Sequence, residues 1–228
     1  MNDLHKPRRV FHRASAGIAV LAAAATSFFA VQASAGAAPA GLVTQCGAAA
    51  AIVQAPKPVI VAFANQAEIP CVDATKSVAT ASATVIPGVL GIGATTITVK
   101  GVTASTAETT DFFGNYAIAA SADIASVTIS GPGLNVVASG VHSDTFTDSA
   151  GFVSSANSWI TKLTVNGKVI PVGTHPLTLN VGLRTSILLN ERVLQDSGAF
   201  ADAIRVTFPD YRYGLLVAGS QTFLATID

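Results

Sequence analysis

The stretch Lys162 to Val172 reads KLTVNGKVIPV, with Asn166-Gly167 as a two-residue loop between alternating side chains. A type I′ turn needs φ > 0 at both central residues, which Asn and Gly accept most readily, and its twist matches that of paired strands. This loop sets Val165 opposite Lys168, Leu163 opposite Ile170 and Thr161 opposite Val172. Leu163, Val165, Ile170 and Val172 then share a face assigned to the interior, while Lys162, Thr164 and Val169 point away. Pro171 has no N–H to give to a ladder, so this arm belongs at or near a sheet edge.

The period of two continues downstream in LTLNV (177–181), TSILL (185–189), AIRVTF (203–208), LLVAG (215–219) and TFLATI (222–227). Short alternating runs separated by turn residues predict an all-β fold, an antiparallel β-sandwich or a barrel-like closure of the same strands. RVLQDSGAFADAI fits neither period and is expected as a short helix or a loop. Upstream, PVIVAF, SVATASATVI, TTITVKGVTA, NYAIAASADIASVTIS and LNVVAS supply further strands rich in Thr, Val and Ile. GAAAAIVQA is read as either a short helix or a small-residue strand. In NYAIAASADIASVTIS, Ile118, Ala120, Ala122 and Ile124 share one phase and Val127 and Ile129 the other, which predicts a bulge near Ala125.

The N-terminus carries Lys6, Arg8, Arg9 and Arg13, then an Ala-rich apolar run from about Gly17 to Val31, then Ala33-Ser34-Ala35. This order of basic start, apolar run and small-residue site predicts a secretory signal peptide over residues 1–35 and one β-sandwich domain over 36–228. Arg8-Arg9-Val10-Phe11 partly matches the twin-arginine pattern, so the export route stays open. Without the leader, nine basic and twelve acidic side chains remain, a net charge of −3 that offers no footprint for nucleic acid. No later apolar run is long enough to span a bilayer and no LPxTG-like sorting sequence is read, so the expected location is secreted, with noncovalent retention at the cell surface as a variant. Cys46 and Cys71 are the two cysteines, and in an oxidising compartment they predict one disulfide, which closes its loop for roughly 3 kcal/mol in the chain-entropy description.

From about Val78 to Ile227 the chain resembles the choice-of-anchor P family of exported actinobacterial proteins. The residues that carry the resemblance are SWITKLTVNGKVIPV, TSILLNERV and AIRVTF followed by GLLVAGSQTFLATI. The resemblance implies secretion, a β-rich domain and a variable C-terminal anchor, and it brings no catalytic residues to this chain.

Chemistry-bearing residues are few. His142-Ser143-Asp144 places three triad residue types side by side, but neighbours on a strand point in opposite directions and a triad is assembled across space; polar residues in a turn are the expected reading. Asp144 to Asp148, read as an acidic loop, offers two carboxylates where Ca²⁺ needs six to eight oxygens. Glu191 and Asp196 would have to face each other across a cleft to hydrolyse a glycoside. His175 is expected in a solvated loop. Trp159, the single tryptophan, suggests sugar stacking, but counting in twos from Leu163 and Val165 assigns it to the core. The binding candidates are Tyr211, Arg212 and Tyr213 in FPDYRYG, with Phe112 and Phe113 as a second apolar loop tip, because aromatic and Arg side chains are enriched in binding hot spots.

No cofactor, metal or catalytic set is assigned. The expected function is a non-enzymatic exported β-sandwich with a structural or interaction role at the cell surface or in the extracellular matrix. A carbohydrate- or protein-binding module using loop aromatics is the second reading, and a secreted hydrolase the third. A cell-wall glycan or a surface protein is the expected partner, and an unprotected edge strand leaves pairing with a second copy open.

Overall fold

Twelve strands form in the computed structural model, which describes residues 42–54, 59–65, 70–85, 94–110, 115–150, 153–181, 185–208 and 214–226. They are β1 (Leu42–Gln54), β2 (Val59–Ala64), β3 (Ala74–Val85), β4 (Thr95–Thr110), β5 (Tyr116–Gly131) and β6 (Leu134–Asp148). The second half supplies β7 (Val153–Val165), β8 (Lys168–Ile170), β9 (Leu177–Val181), β10 (Thr185–Gln195), β11 (Gly198–Thr207) and β12 (Gly214–Thr226). Residues 1–35, expected as a secretory leader, lie outside the described residues. Among the described residues no helix is long and apolar enough to cross a membrane.

The strands make two antiparallel six-stranded sheets that pack as a sandwich, without the continuous pairing of a closed barrel. The first sheet runs β2-β1-β12-β11-β10-β9 and the second β3-β4-β5-β6-β7-β8. The Asn166-Gly167 hairpin forms as read: both residues have positive φ, 49° and 78°. Val165 pairs with Lys168 and Leu163 with Ile170, and β8 is the edge of its sheet. The expected Thr161–Val172 pair does not form, because β8 ends at Ile170, just before Pro171.

Two other expectations are corrected. RVLQDSGAFADAI is neither helix nor loop: β10 runs on to Gln195, Asp196-Ser197 turns, and β11 starts at Gly198 opposite Gln195. LLVAG and TFLATI are one strand, because Gly219, Ser220 and Gln221 continue the ladder with Ala49, Ala48 and Gly47 of β1. GAAAAIVQ (47–54) resolves as strand within β1, between β2 and β12, with Ala48, Ala50 and Ala51 buried in the main core.

The shift of phase near Ala125 is present but is not a bulge. Ile124 pairs with Val141 and Ser126 with Ser139, so one residue faces one residue on both sides of the break. The neighbours break at the same level. In β4 burial passes from Ile97 and Val99 to Val102 and Ala104, and in β6 from Val136 and Ala138 to Val141 and Ser143. In β7 it passes from Ala156, Ser158 and Ile160 to Leu163 and Val165. A transverse seam through Gly101, Ala125, Gly140 and Thr161 therefore turns the inward phase of β4, β5, β6 and β7 over at once, and the register survives because all four make the same change. Gly101 and Gly140, on alternate strands, have φ of +58° and +55°, a region that only glycine enters freely.

The first sheet has a matching seam. Asn190 of β10 and Ala218 of β12, again on alternate strands, have φ of 53° and 50°. Here the doubled residues turn inward, since Ala50, Ala51, Ala203, Ile204, Val217 and Ala218 are all core. Across the interior Thr147 of β6 and Thr222 of β12 hydrogen-bond at 2.8 Å, and the Cys46–Cys71 disulfide ties β1 to the segment entering β3.

Candidate binding face

The seam decides where the site lies. Below it, β5, β6 and β7 turn Asp123, His142 and Trp159 away from the core in one transverse row, with His142 paired to both of the others. The next row outward holds Ser121, Asp144 and Asn157 in the same manner. His142 is gripped on both sides, with Nδ1 2.5 Å from Asp123 Oδ1 and Nε2 2.9 Å from Asp144 Oδ1. Asn157 Nδ2 donates to Asp144 Oδ2 at 3.0 Å. An imidazolium can donate to both carboxylates and a neutral ring to one. The Trp159 indole lies on the His142 ring at 3.7 Å between centroids, 21° from parallel. Trp159 is exposed, at 43%, whereas the His142 side chain is largely covered.

This corrects the assignment of Trp159 to the core. Counting in twos from Leu163 back to Trp159 crosses the seam at Thr161, where the phase turns over, so Ile160 is buried and Trp159 is not. His142 and Asp144 also lie on strand β6, not in a turn or an acidic loop. Ser143 between them is fully buried on the opposite face, so the three residues do not meet as a triad. Asp144 and Asp148 are four residues apart on one strand, roughly 13 Å, and Asp148 accepts the Ala150 N–H, so the two do not share an ion. Among the described residues no three His, Cys, Asp or Glu side chains cluster as metal ligands.

A second polar cluster lies on the side of the first sheet away from the core. Arg205 of β11 donates through Nε to Asp202 Oδ2 at 3.1 Å and places a terminal nitrogen 2.8 Å from Glu191 Oε2. The same guanidinium lies 5.5 Å from the Phe200 ring centroid. Asp202 is fully buried, and burial pushes its carboxyl up to about 7, against the downward pull of Arg205 and with a further rise from Glu191. Glu191 is thus tied into an ion pair. Asp196 starts the turn at the far end of the strand, so these two do not face each other across a cleft.

A crevice of about 380 Å³ separates the edges β8 and β9, lined by residues that include Asn166, Lys168, Thr178 and Asn180. Tyr211, Arg212, Tyr213, Phe112 and Phe113, the binding candidates read from sequence, lie outside the described residues. His175 is exposed in the loop before β9, as expected. Cys46 and Cys71 form the expected disulfide, with Cα atoms 5.0 Å apart.

The sequence reading missed Asp123 and Asn157 and misplaced Trp159. The signal was present in the Trp159-Ile160 neighbours: successive residues of a regularly alternating strand point to opposite faces, so outside a seam only one of the two faces the core. No protein-family model matches the chain, and neither the curated proteins nor the solved structures contain a significant match.

Proposed function

We propose that this chain is an exported, non-enzymatic β-sandwich protein with an interaction role at the cell surface or in the extracellular matrix. The observation that carries the reading is the Trp159–His142 stack, a half-exposed aromatic set among carboxylates and an amide on an open sheet face. A reaction centre is a concave site that excludes water; this face is an open sheet surface with Trp159 exposed. The basic-apolar-small order of residues 1–35 and the buried disulfide suit an oxidising compartment outside the cytoplasm. The resemblance of SWITKLTVNGKVIPV, TSILLNERV and the closing strands to the choice-of-anchor P family supports the same assignment.

Co-sedimentation of the purified protein with intact cell walls, at low and high salt, tests it. Salt-resistant pelleting is expected, because an aromatic platform holds its ligand by contact and hydrogen bonding and little by screened charge. Protein that stays in the supernatant at both salt concentrations contradicts the surface role. Turnover of a wall polymer would contradict the non-enzymatic one.

A further inference from the structure

We infer that the Trp159 face is a binding site for a neutral polysaccharide chain built of pyranose rings with equatorial substituents; this rests on the interaction role proposed above and names its ligand class. Such a ring has a flat apolar face of axial C–H groups and a rim of hydroxyls, so its receptor needs an open aromatic face with hydrogen-bonding groups beside it. β7 provides both. β8 pairs only with Leu163, Thr164 and Val165, so at Trp159 the strand is already the sheet edge. One face of the indole is occupied by His142; on its other side no strand pairs with β7 at this level among the described residues.

The platform is set in advance. His142 is anchored between Asp123 and Asp144, and it in turn fixes the plane of Trp159, so little side-chain freedom remains to be lost on binding. Asp144 and Asn157 sit two pairs along the ladder from the stack, on the same face, and offer acceptor and donor groups to the hydroxyl rim. A hydroxyl donating to a carboxylate makes a charge-assisted bond. Two carboxylates flanking the aromatic pair repel uronate, sialate or phosphate groups, which sets the preference for an uncharged chain. The open sheet face suits an extended chain lying across strands better than a chain end, which calls for an enclosing pocket.

The test uses the whole chain and its only tryptophan, so that selectively excited tryptophan emission reports this site alone. Titration with cellohexaose and chitohexaose, with hexagalacturonate as the anionic counterpart, is followed by emission and by calorimetry. At least one neutral hexasaccharide is expected to change Trp159 emission saturably, and hexagalacturonate to leave it unchanged. Trp159→Ala is expected to weaken binding at least about tenfold, the scale of a hot spot, with Trp159→Phe retaining part of it. Asp144→Asn, which leaves the indole in place, is expected to weaken binding several-fold with the thermal midpoint unchanged. No response to either neutral hexasaccharide, equal binding by Trp159→Ala, or equal binding of hexagalacturonate overturns the site. If wild type and Trp159→Ala pellet equally with cell walls, the glycan site falls and the surface role stands. If pelleting is lost once the walls are stripped with protease, a protein partner replaces the glycan; if nothing pellets or responds, both readings fall.

Discussion

Asp202 shows how one side chain sets a pH dependence for the fold. Its Oδ1 is buried with no hydrogen-bond partner among the described residues, while Oδ2 takes the Arg205 guanidinium. Burial pushes its carboxyl up to about 7 in the folded chain, from 3.8 for a free carboxyl. Below about 4 the carboxyl is protonated in both folded and unfolded chains, and nothing is lost. As pH rises towards about 7 the unfolded chain gives up this proton and the folded chain holds it, so stability falls by a few kcal/mol and then levels off. Asp202→Asn removes that titration. Urea unfolding at pH 4.5 and 7.5 is expected to show a clear loss for the parent and a much smaller one for the variant; equal losses would place the pH dependence elsewhere. Gly219 belongs to the same cluster, since an added Cβ would meet Leu216 Cδ2 at 2.5 Å and Asp202 Oδ1 at 3.1 Å. None of this was legible in the sequence, where Glu191, Asp202 and Arg205 are separated charges whose convergence depends on the β10–β11 register.

Among the elements, the seams govern what could be read. Sequence period identified most strands and fixed the Asn166-Gly167 hairpin in register, because turn type and alternation are local properties. The phase change was visible at Ala125, where apolar residues sit on both sides of it. It was hidden in β7, where Ser158 and Ala156 carry the inward phase with little hydrophobic contrast, and this inverted the reading of Trp159. Glycine substitutions separate the seam from ordinary turn strain. Gly133 has φ of +69° with nothing within 4 Å of an added Cβ, so Gly133→Ala carries only the left-handed backbone penalty, about 1 kcal/mol. At Gly101 the φ is +58° and an added Cβ would lie 2.7 Å from Ala125 Cβ on the next strand. The added contact is with a rigid part of the seam, so Gly101→Ala is expected to lower stability by about 2–4 kcal/mol. Thermal midpoints should fall in the order parent, Gly133→Ala, Gly101→Ala. Equal losses for the two variants would mean that the seam yields to insertion and does not hold the strands in step.

At the scale of the whole molecule, the two sheets depend on links that alternation does not encode. The disulfide is one that cysteine counting found, and its position gives it a role beyond closing a loop. Cys46 is in β1 of the first sheet, Cys71 lies three residues before the start of β3 of the second, and both are fully buried. The Cys71 N–H donates to Thr44 Oγ1 at 2.9 Å and to the Thr44 carbonyl at 3.1 Å, so the segment entering β3 is held against β1 by its backbone as well. Asn65 Nδ2 reaches Cys46 Sγ at 3.0 Å from the end of β2. Cutting the cross-link restores freedom to a chain segment of separation 25 in the unfolded state, roughly 3–4 kcal/mol in the chain-entropy description. The paired substitution Cys46→Ala with Cys71→Ala is therefore expected to lower unfolding stability by about that amount. The β7 face is remote in the ladder from this cross-link, with β4, β5 and β6 between β3 and β7. Trp159 emission in the folded variant should then match that of the parent below the unfolding transition. A shifted emission under native conditions would show that the cross-link sets the geometry of the Trp159 face as well as the stability of the sandwich.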